Sequence, residues 1–367
     1  MINFDFLPSR QITFYMARLF LTRTIAVLIA LVLVLMTLDL LGESSKILAV
    51  PGNGEAELWY YVSLRVPLLV SRFLPFSVLL GTLIAFTSLN QHSEVVAMKA
   101  AGLSAHQILA PMIIASLGVA IASFAFNETV VVRASRAVSA WSNADYRPVP
   151  PESGLVTNVW LRNDDDLVHV DRIGGGGANI QLGGVTIYER EAGALVRTIN
   201  AVRADRDAAG GGWRLRQVRL YDAAANVVRR YPEMKALEGI EPSRFTLAKV
   251  VPAERDFVSL RQAIDELEAA GRPADEAKTG WWHKLSGPLS TVLMPLLAAM
   301  AAFGLARSGQ VLLRATVGMA LGFTYFVADN FSLALGNVGA YPPVLAAWAP
   351  FILFLLIGET VLIRTEE

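Results

Sequence analysis

Six apolar runs, divided three and three by a single charged block, leave this chain few ways to fold. The runs are Thr24–Leu41, Val66–Leu89, Ile108–Phe126, Leu285–Ala306, Ala315–Leu335 and Val344–Ile363. Each is about the length a helix needs to cross ~30 Å of hydrocarbon, given some extension or tilt. The hydrophobic fraction of 54% and mean hydropathy of +0.45 are too high for a soluble chain of 367 residues. Charge is concentrated in the block Val130–Gly280, which holds 42 of the 64 Lys, Arg, Asp and Glu residues, 21 of each sign. These features predict an α-helical membrane protein with six transmembrane helices and one water-exposed insert between the third and the fourth.

Orientation follows from Lys and Arg in the short loops, which accumulate on the cytoplasmic side. One side carries Arg10, Arg18, Arg23, Lys99, Arg307, Arg314 and Arg364; the other has Lys46 and Arg65, and no charge between Gly336 and Tyr341. Both termini are therefore expected in the cytoplasm and the insert outside, in the periplasm of a bacterium. Met1–Arg23, with arginines among Phe, Leu and Tyr, reads as an interfacial lead-in. Gly42-Glu43-Ser44-Ser45 is no cleavage site, so the first run reads as a retained span. A balanced net charge argues against a nucleic-acid partner. The absence of Cys excludes disulfides and thiolate chemistry.

The expected domains are residues 1–129 with three spans, 130–280 outside, and 281–367 with the last three. Within the insert, Leu167–Ile173, Asn179–Tyr188, Ala194–Val202, Trp213–Tyr221 and Arg244–Val251 read as strands separated by Gly, Asn and Asp clusters. Strands of this kind suit a sandwich, a jelly roll or an open barrel. A helix at about 259–270 follows, with Ser259 as its N-cap, Leu260, Ile264 and Leu267 on one face and Gly271 at its end. Arg272–Gly280 reads as a polar linker.

Catalytic chemistry is hard to find. His92, His106, His169 and His283 have no metal-ligand spacing, and no Gly-rich loop carries the Lys-Ser/Thr of a phosphate-binding loop. Gly174–Gly177 reads as a strand connection and Asp164-Asp165-Asp166 as a turn. Ionisable residues in or near the spans are functional candidates by default; here these are Asp39, Arg72 and Asp329. Asp39 and Arg72 lie near the outer surface, where the side chains can snorkel. Asp329 lies about 15 residues past Arg314, roughly 22 Å along a helix. Arg133 and Arg136 share a helical face where the third span emerges, facing either a lipid headgroup or water.

Between the second and third runs lies a polar stretch, Gln91 to Ser104, on the cytoplasmic side. Ser93 suits an N-cap, Glu94 the first turn and Gly102 a left-handed end. Val95, Met98 and Ala101–Leu103 recur at helical spacing. That apolar face could dock on lipid, on this chain or on another protein. Small residues at Ala97, Ala100, Ala101 and Gly102 would let a partner's backbone come close. A chain with no nucleotide site and such a helix suits the permease of an ABC-type transporter, driven by a separate ATPase.

The segment Ser93-Glu94-Val95-Val96-Ala97-Met98-Lys99-Ala100-Ala101-Gly102 resembles the coupling-helix motif of the lipopolysaccharide-transport permease family LptF/LptG, most closely its LptG branch. Leu74-Pro75-Phe76 with Leu79-Leu80-Gly81 is similar to the start of that family's second span. Val159 to Val170, Leu182 to Tyr188 and Gly212 to Leu215 resemble stretches of its periplasmic domain. Lys284 to Ser290 and Tyr341-Pro342-Pro343 with Ala349-Pro350 match near the C-terminus, and Asp329-Asn330 falls where the family has an Asp-Gln pair, so the likeness runs from about Phe14 to Ile363.

The resemblance implies a periplasmic β-jelly roll and a heterodimer with an LptF-like permease. It also implies two LptB-like ATPase subunits that bind ATP and Mg, while this chain binds no cofactor and is not itself an enzyme. LptC and LptA-like bridge proteins would receive the lipopolysaccharide, drawn from the bacterial inner membrane. Ser93, Glu94, Met98, Ala101 and Gly102 would transmit the ATPase's motion, and the first and fifth spans would form lateral gates. The family commonly places lysines on and just after the first span for the lipid's phosphates. Here that stretch reads Met36, Asp39, Gly42 and Glu43, so either Lys46, Arg65, Arg72, Arg133 or Arg136 serves as a headgroup contact, or that contact relies more on the partner subunit. The alternative is a non-transporting scaffold that relays an ATPase's motion to a periplasmic domain.

Overall fold

The computed structural model describes residues 7–148, 156–163, 165–174, 180–191, 194–206, 212–222, 225, 227–240, 245, 250–269, 271–303 and 311–364. It forms two compact units. One is helical (Met1–Ser45, Glu55–Ser135, Pro252–Glu367), and the other is built around a sheet (Lys46–Gly54, Arg136–Val251).

The helices in chain order are α1 (Arg10–Leu48), α2 (Glu55–Gln91), the short α3 (Glu94–Ala100) and α4 (Ala105–Phe126). α4 continues through a π-helical turn, Asn127–Val131, into α5 (Val132–Asn143). Then follow α6 (Phe257–Ala269), α7 (Asp275–Phe303), α8 (Val311–Asn337) and α9 (Pro343–Arg364). Among the described residues, five helical segments are long and apolar enough to cross a membrane: Arg10–Leu48, Glu55–Gln91, Ala105–Asn143, Asp275–Ala301 and Pro343–Arg364. The expected fifth span is helical across α8, which carries the polar pair Asp329–Asn330.

Helices outrun several of the apolar runs, and two of these cases correct an expectation. From Arg10 the expected interfacial lead-in is simply the first part of α1. The expected linker Arg272–Gly280 is mostly helix, because α7 begins at Asp275 with Asp275 and Glu276 in its first turn. Acidic side chains there complement the helix dipole.

α7 is the hub of the helical unit, packing on α2, α4, α6, α8 and α9. Leu293, Leu297 and Ala301 on it are almost completely buried. Close approach relies on glycine: a Cβ at Gly322 of α8 would lie 2.1 Å from Leu79 Cδ2 of α2, and one at Gly318 would lie 2.7 Å from Leu83 Cδ2. Glycines one turn apart that admit a neighbouring helix are a recurrent device in membrane helix packing. α1 and α2 also meet closely, since a Cβ at Gly81 would fall 2.7 Å from the Thr24 Cα. Elsewhere α1 is sparsely covered, and Ile29, Leu33, Leu38 and Leu41 are exposed.

The expected helix near residue 260 forms, with Leu260, Ala263, Ile264 and Leu267 buried. Its cap is a correction. Asp256 accepts the Ser259 N–H at 2.9 Å, so Asp256 rather than Ser259 caps the helix. That bond holds the Asp256 carboxyl below the usual carboxylate range. Gly271 ends the region at φ 63°, as expected.

The described residues of the sheet unit form six antiparallel strands: β1 (Val156–Asn163), β2 (Asp166–Gly174), β3 (Gln181–Glu191), β4 (Ala194–Arg206), β5 (Trp213–Asp222) and β6 (Val227–Ala236). Their order in the sheet is their order in the chain. A jelly roll needs two sheets joined by Greek-key crossings; the described strands make one meander instead. β6 was not expected. It carries Pro232 and the charges Arg229, Arg230, Glu233 and Lys235, a composition that reads as turn but also suits an edge strand. The expected strand Arg244–Val251 lies mostly outside the described residues, and its described members are not in a strand. Most of Gly174–Gly177 and the central Asp164 of the aspartate turn also lie outside them.

One face of the sheet forms a core of Val168, Val185, Ile187, Ile199, Leu215 and their neighbours. Trp213 is buried in it, donating its indole N–H to the Ile240 carbonyl at 2.9 Å and meeting Phe245 edge-on at 5.1 Å.

Candidate functional site

α3 is only seven residues long, and its ends define how it is presented. Ser93 does not cap it: the residue sits at φ 58° in the left-handed region, and its side chain makes no cap bond. Gly102 does close the other end at φ 87°, with Gly102 N–H donating to Lys99 O and Leu103 N–H to Met98 O. That paired arrangement is a Schellman motif. Ser104 then starts α4 through a reciprocal capping box with Gln107.

Between those ends the two faces of α3 differ. Val95 is buried, and Met98 and Leu103 pack against the core of the helical unit. Of the three possible docking targets, the apolar face takes this chain. The opposite face presents Val96, 66% exposed, with Ala97, Ala100, Ala101 and Gly102 beside it. Glu94, half-buried, accepts a hydrogen bond from the Tyr15 hydroxyl of α1 at 3.2 Å. Of the five residues singled out by resemblance, Ser93, Ala101 and Gly102 thus face outward, Glu94 is tied to α1, and Met98 points into the core. Val96 was missed, because an isolated Val in a helical pattern carries no sign of which face it takes.

The charged candidates are distributed differently from a single headgroup cluster. Arg65 grips Asp39 with two hydrogen bonds, Nε to Oδ2 and Nη2 to Oδ1, both 2.9 Å, and Tyr61 donates to the same carboxylate at 2.7 Å. Two candidates therefore satisfy each other, in the bidentate geometry that makes Arg–carboxylate pairs strong. Arg72 and Arg133 are exposed, with no side-chain partner among the described residues; Lys46 and Arg136 are also exposed. Asp329 is half-buried on α8, near enough to His283 of α7 and to Tyr325 to act on both electrostatically. Ser286 stands 3.3 Å from His283 Nδ1, so Asp329 belongs to a polar cluster inside the helical unit.

A second polar junction was not anticipated. Lys284 of α7 reaches Glu128 at 2.6 Å, and Glu128 also accepts the backbone N–H of Phe257 at the start of α6. Glu128 lies in the π-helical turn, as does Asn127, which accepts from Ser71 of α2 at 2.5 Å. Phe257 stacks on Trp281 at 4.6 Å, and Trp281 donates its indole N–H to the Phe257 carbonyl. One turn of irregular helix thereby joins α2, α6 and α7.

The chain matches the family model described as "Lipopolysaccharide export system permease LptF/LptG" over residues 14–364. It is 26% identical over 314 residues to the "Lipopolysaccharide export system permease protein LptG" of Escherichia coli (strain K12), covering 83% of this chain and 84% of that protein. It is 24% identical over 326 residues to the protein of the same name from Haemophilus influenzae, covering 86% and 89% respectively.

Proposed function

Because the chain belongs to the LptF/LptG family of lipopolysaccharide export system permeases, we propose that it is one membrane half of an ATP-driven exporter. In this reading it draws lipopolysaccharide out of the inner membrane and passes it to a periplasmic bridge. α8 serves as the fifth of six spans, both termini and α3 lie in the cytoplasm, and the sheet unit lies in the periplasm. An LptF-like chain forms the other half, and two LptB-like ATPases bind ATP and Mg and drive both. LptC and LptA-like proteins continue the path. This chain contributes no catalytic group; it receives mechanical work.

The observation that carries the reading is the division of α3 into two faces. Its inward residues, Val95 and Met98, tie it to the core, so a push on α3 is passed to packed helices rather than absorbed by a loose loop. Its outward residues are small, which suits insertion into a groove on a partner. The lipid path is supported by two exposed apolar stripes, Leu33 and Leu38 on α1, and Met319, Phe323, Val327 and Phe331 at four-residue spacing on α8.

Ala97→Trp with Ala100→Trp tests the docking face without touching the inward one. The variant is expected to insert normally while losing the co-purifying ATPase and ATP-driven export. Retention of both would overturn the coupling role of α3. Photo-crosslinkers at Leu33 and Phe323 are expected to capture lipopolysaccharide; capture of protein alone would favour a non-transporting scaffold.

A further inference from the structure

The face of the sheet opposite its core carries a row of side chains that lie outside that core. Cross-strand pairing sets Trp160 against His169, His169 against Thr186, Thr186 against Asn200, Asn200 against Arg219, and Arg219 against Arg230. Directly paired positions share a face of a sheet, so these six residues form one line across all six strands. Val159, Val168, Val185, Ile199 and Val218, each next in sequence to a member of the row, are buried on the other face, as period-two alternation requires. The line crosses five strand spacings, roughly 24 Å.

Its chemistry changes from one end to the other. Trp160 is 52% exposed, yet its ring stacks with Tyr188 at 5.9 Å and 11° and lies 4.4 Å from the His169 ring. The indole is thus held in place while half of it remains in water. In the middle, Thr186 donates its hydroxyl proton to Asn200 Oδ1 at 2.9 Å, which leaves the Asn200 amide N–H donors without a partner among the described residues. At the far end Arg219 and Arg230 are exposed and directly opposite one another. Neither has an ion-pair partner among the described residues, whereas Arg190, Arg197, Arg203 and Arg216 all do. Like charges set opposite on a sheet repel, and an anion bridging them removes that cost.

We propose that this face is a binding platform for a phosphorylated oligosaccharide, with a sugar ring on Trp160 and phosphate at Arg219 and Arg230. An aromatic plane receives the apolar face of a sugar, hydroxyl and amide groups take its rim, and paired guanidinium forks match phosphate. A peptide added as a strand would engage the edges, β1 or β6, not the middle of the face. The source of the saccharide, the sugar portion of lipopolysaccharide, rests on the function proposed above.

The test uses the full-length chain with its co-purifying partners in detergent, and as probe the lipid-free phosphorylated oligosaccharide cleaved from lipopolysaccharide. Wild type is expected to bind it, and Arg219→Ala with Arg230→Ala to bind it about tenfold more weakly. Removing the probe's phosphates should weaken wild-type binding by a similar factor. Trp160→Ala should weaken both forms of the probe, and Arg219→Lys with Arg230→Lys should retain part of the affinity, which guards against misfolding as the cause. No wild-type binding, variants that bind like wild type, or inorganic phosphate binding as tightly as the oligosaccharide would each overturn the platform. Crosslinking of whole lipopolysaccharide at Phe323 is read in parallel. If it persists while the oligosaccharide fails to bind, only the platform falls; if it is absent from wild type, the permease reading falls.

Discussion

Glu128 and Lys284 lie 156 positions apart in sequence and 2.6 Å apart in space, and both are largely withdrawn from water, with 15% and 13% of their side chains exposed. Removing one partner of such a pair leaves an uncompensated buried charge, whereas replacing both by apolar groups of similar size is close to neutral. Glu128→Leu is therefore expected to cost about 3–5 kcal/mol of stability, and Glu128→Leu with Lys284→Met to recover most of it. Thermal unfolding of the purified chain in detergent measures both; equal losses in the single and double variants would show that the pair is not what holds the junction. None of this was legible in the sequence. Glu128 ends an apolar run and Lys284 precedes another, and no spacing rule relates them. Asp39 and Arg65 were each visible as isolated charges near spans, but a helix-to-helix pairing depends on the crossing of α1 and α2, which periodicity does not encode. The Trp160 to Arg230 row escaped notice for a related reason: strand positions are readable, but register between strands is not.

The helices make predictions of their own. The carboxyl of Asp256, depressed by the Ser259 N–H, favours the folded state while it is ionised. Its contribution is present above the ordinary carboxylate value near 3.8 and is lost as pH falls through the lower folded value. Asp256→Ala is expected to cost about 1 kcal/mol at neutral pH, as loss of an N-cap does. The difference from wild type should shrink as acid is added below about pH 4, a trend that denaturation across pH would reveal. At the α1–α2 crossing, Gly81→Leu should push α1 away, since even a single carbon meets the Thr24 backbone. The chain has no native cysteine, so disulfide trapping between cysteines placed on α1 and α2 reads that separation cleanly; undiminished trapping would show that the crossing is not glycine-dependent. Elements were the most legible scale, because apolar runs and alternation follow directly from burial. The errors fell where a side chain could serve two ends: Ser93 is a good cap by composition but turns left-handed, and Asp256 takes the role read for Ser259. β6 was hidden by Pro232 and its charges, which mark an edge strand as readily as a loop.

The division into two units has an energetic counterpart. Trp213→Ala removes the largest fully buried side chain described, together with its bond to Ile240. A loss of about 3–5 kcal/mol is expected from such a truncation, borne by the sheet unit alone. Limited proteolysis should then cut between residues 156 and 236 while the helices stay protected; general degradation would mean the two units do not unfold separately. The membrane character and the β-rich insert were legible at this scale, because hydropathy and charge segregate along the chain. The path of the sheet was not, since strand order follows from pairing. That path also bears on how the protein is made. Each described strand pairs with its chain neighbours, and the whole sheet unit precedes Pro252. A ribosome therefore delivers every strand before it starts on α7, the helix on which α2 and α4 pack. At ~5–20 residues per second, α2 and α4 must wait roughly 7–30 s for their central partner. During that interval the lipid itself, or an assembly factor, has to cover the surfaces that α7 will finally bury.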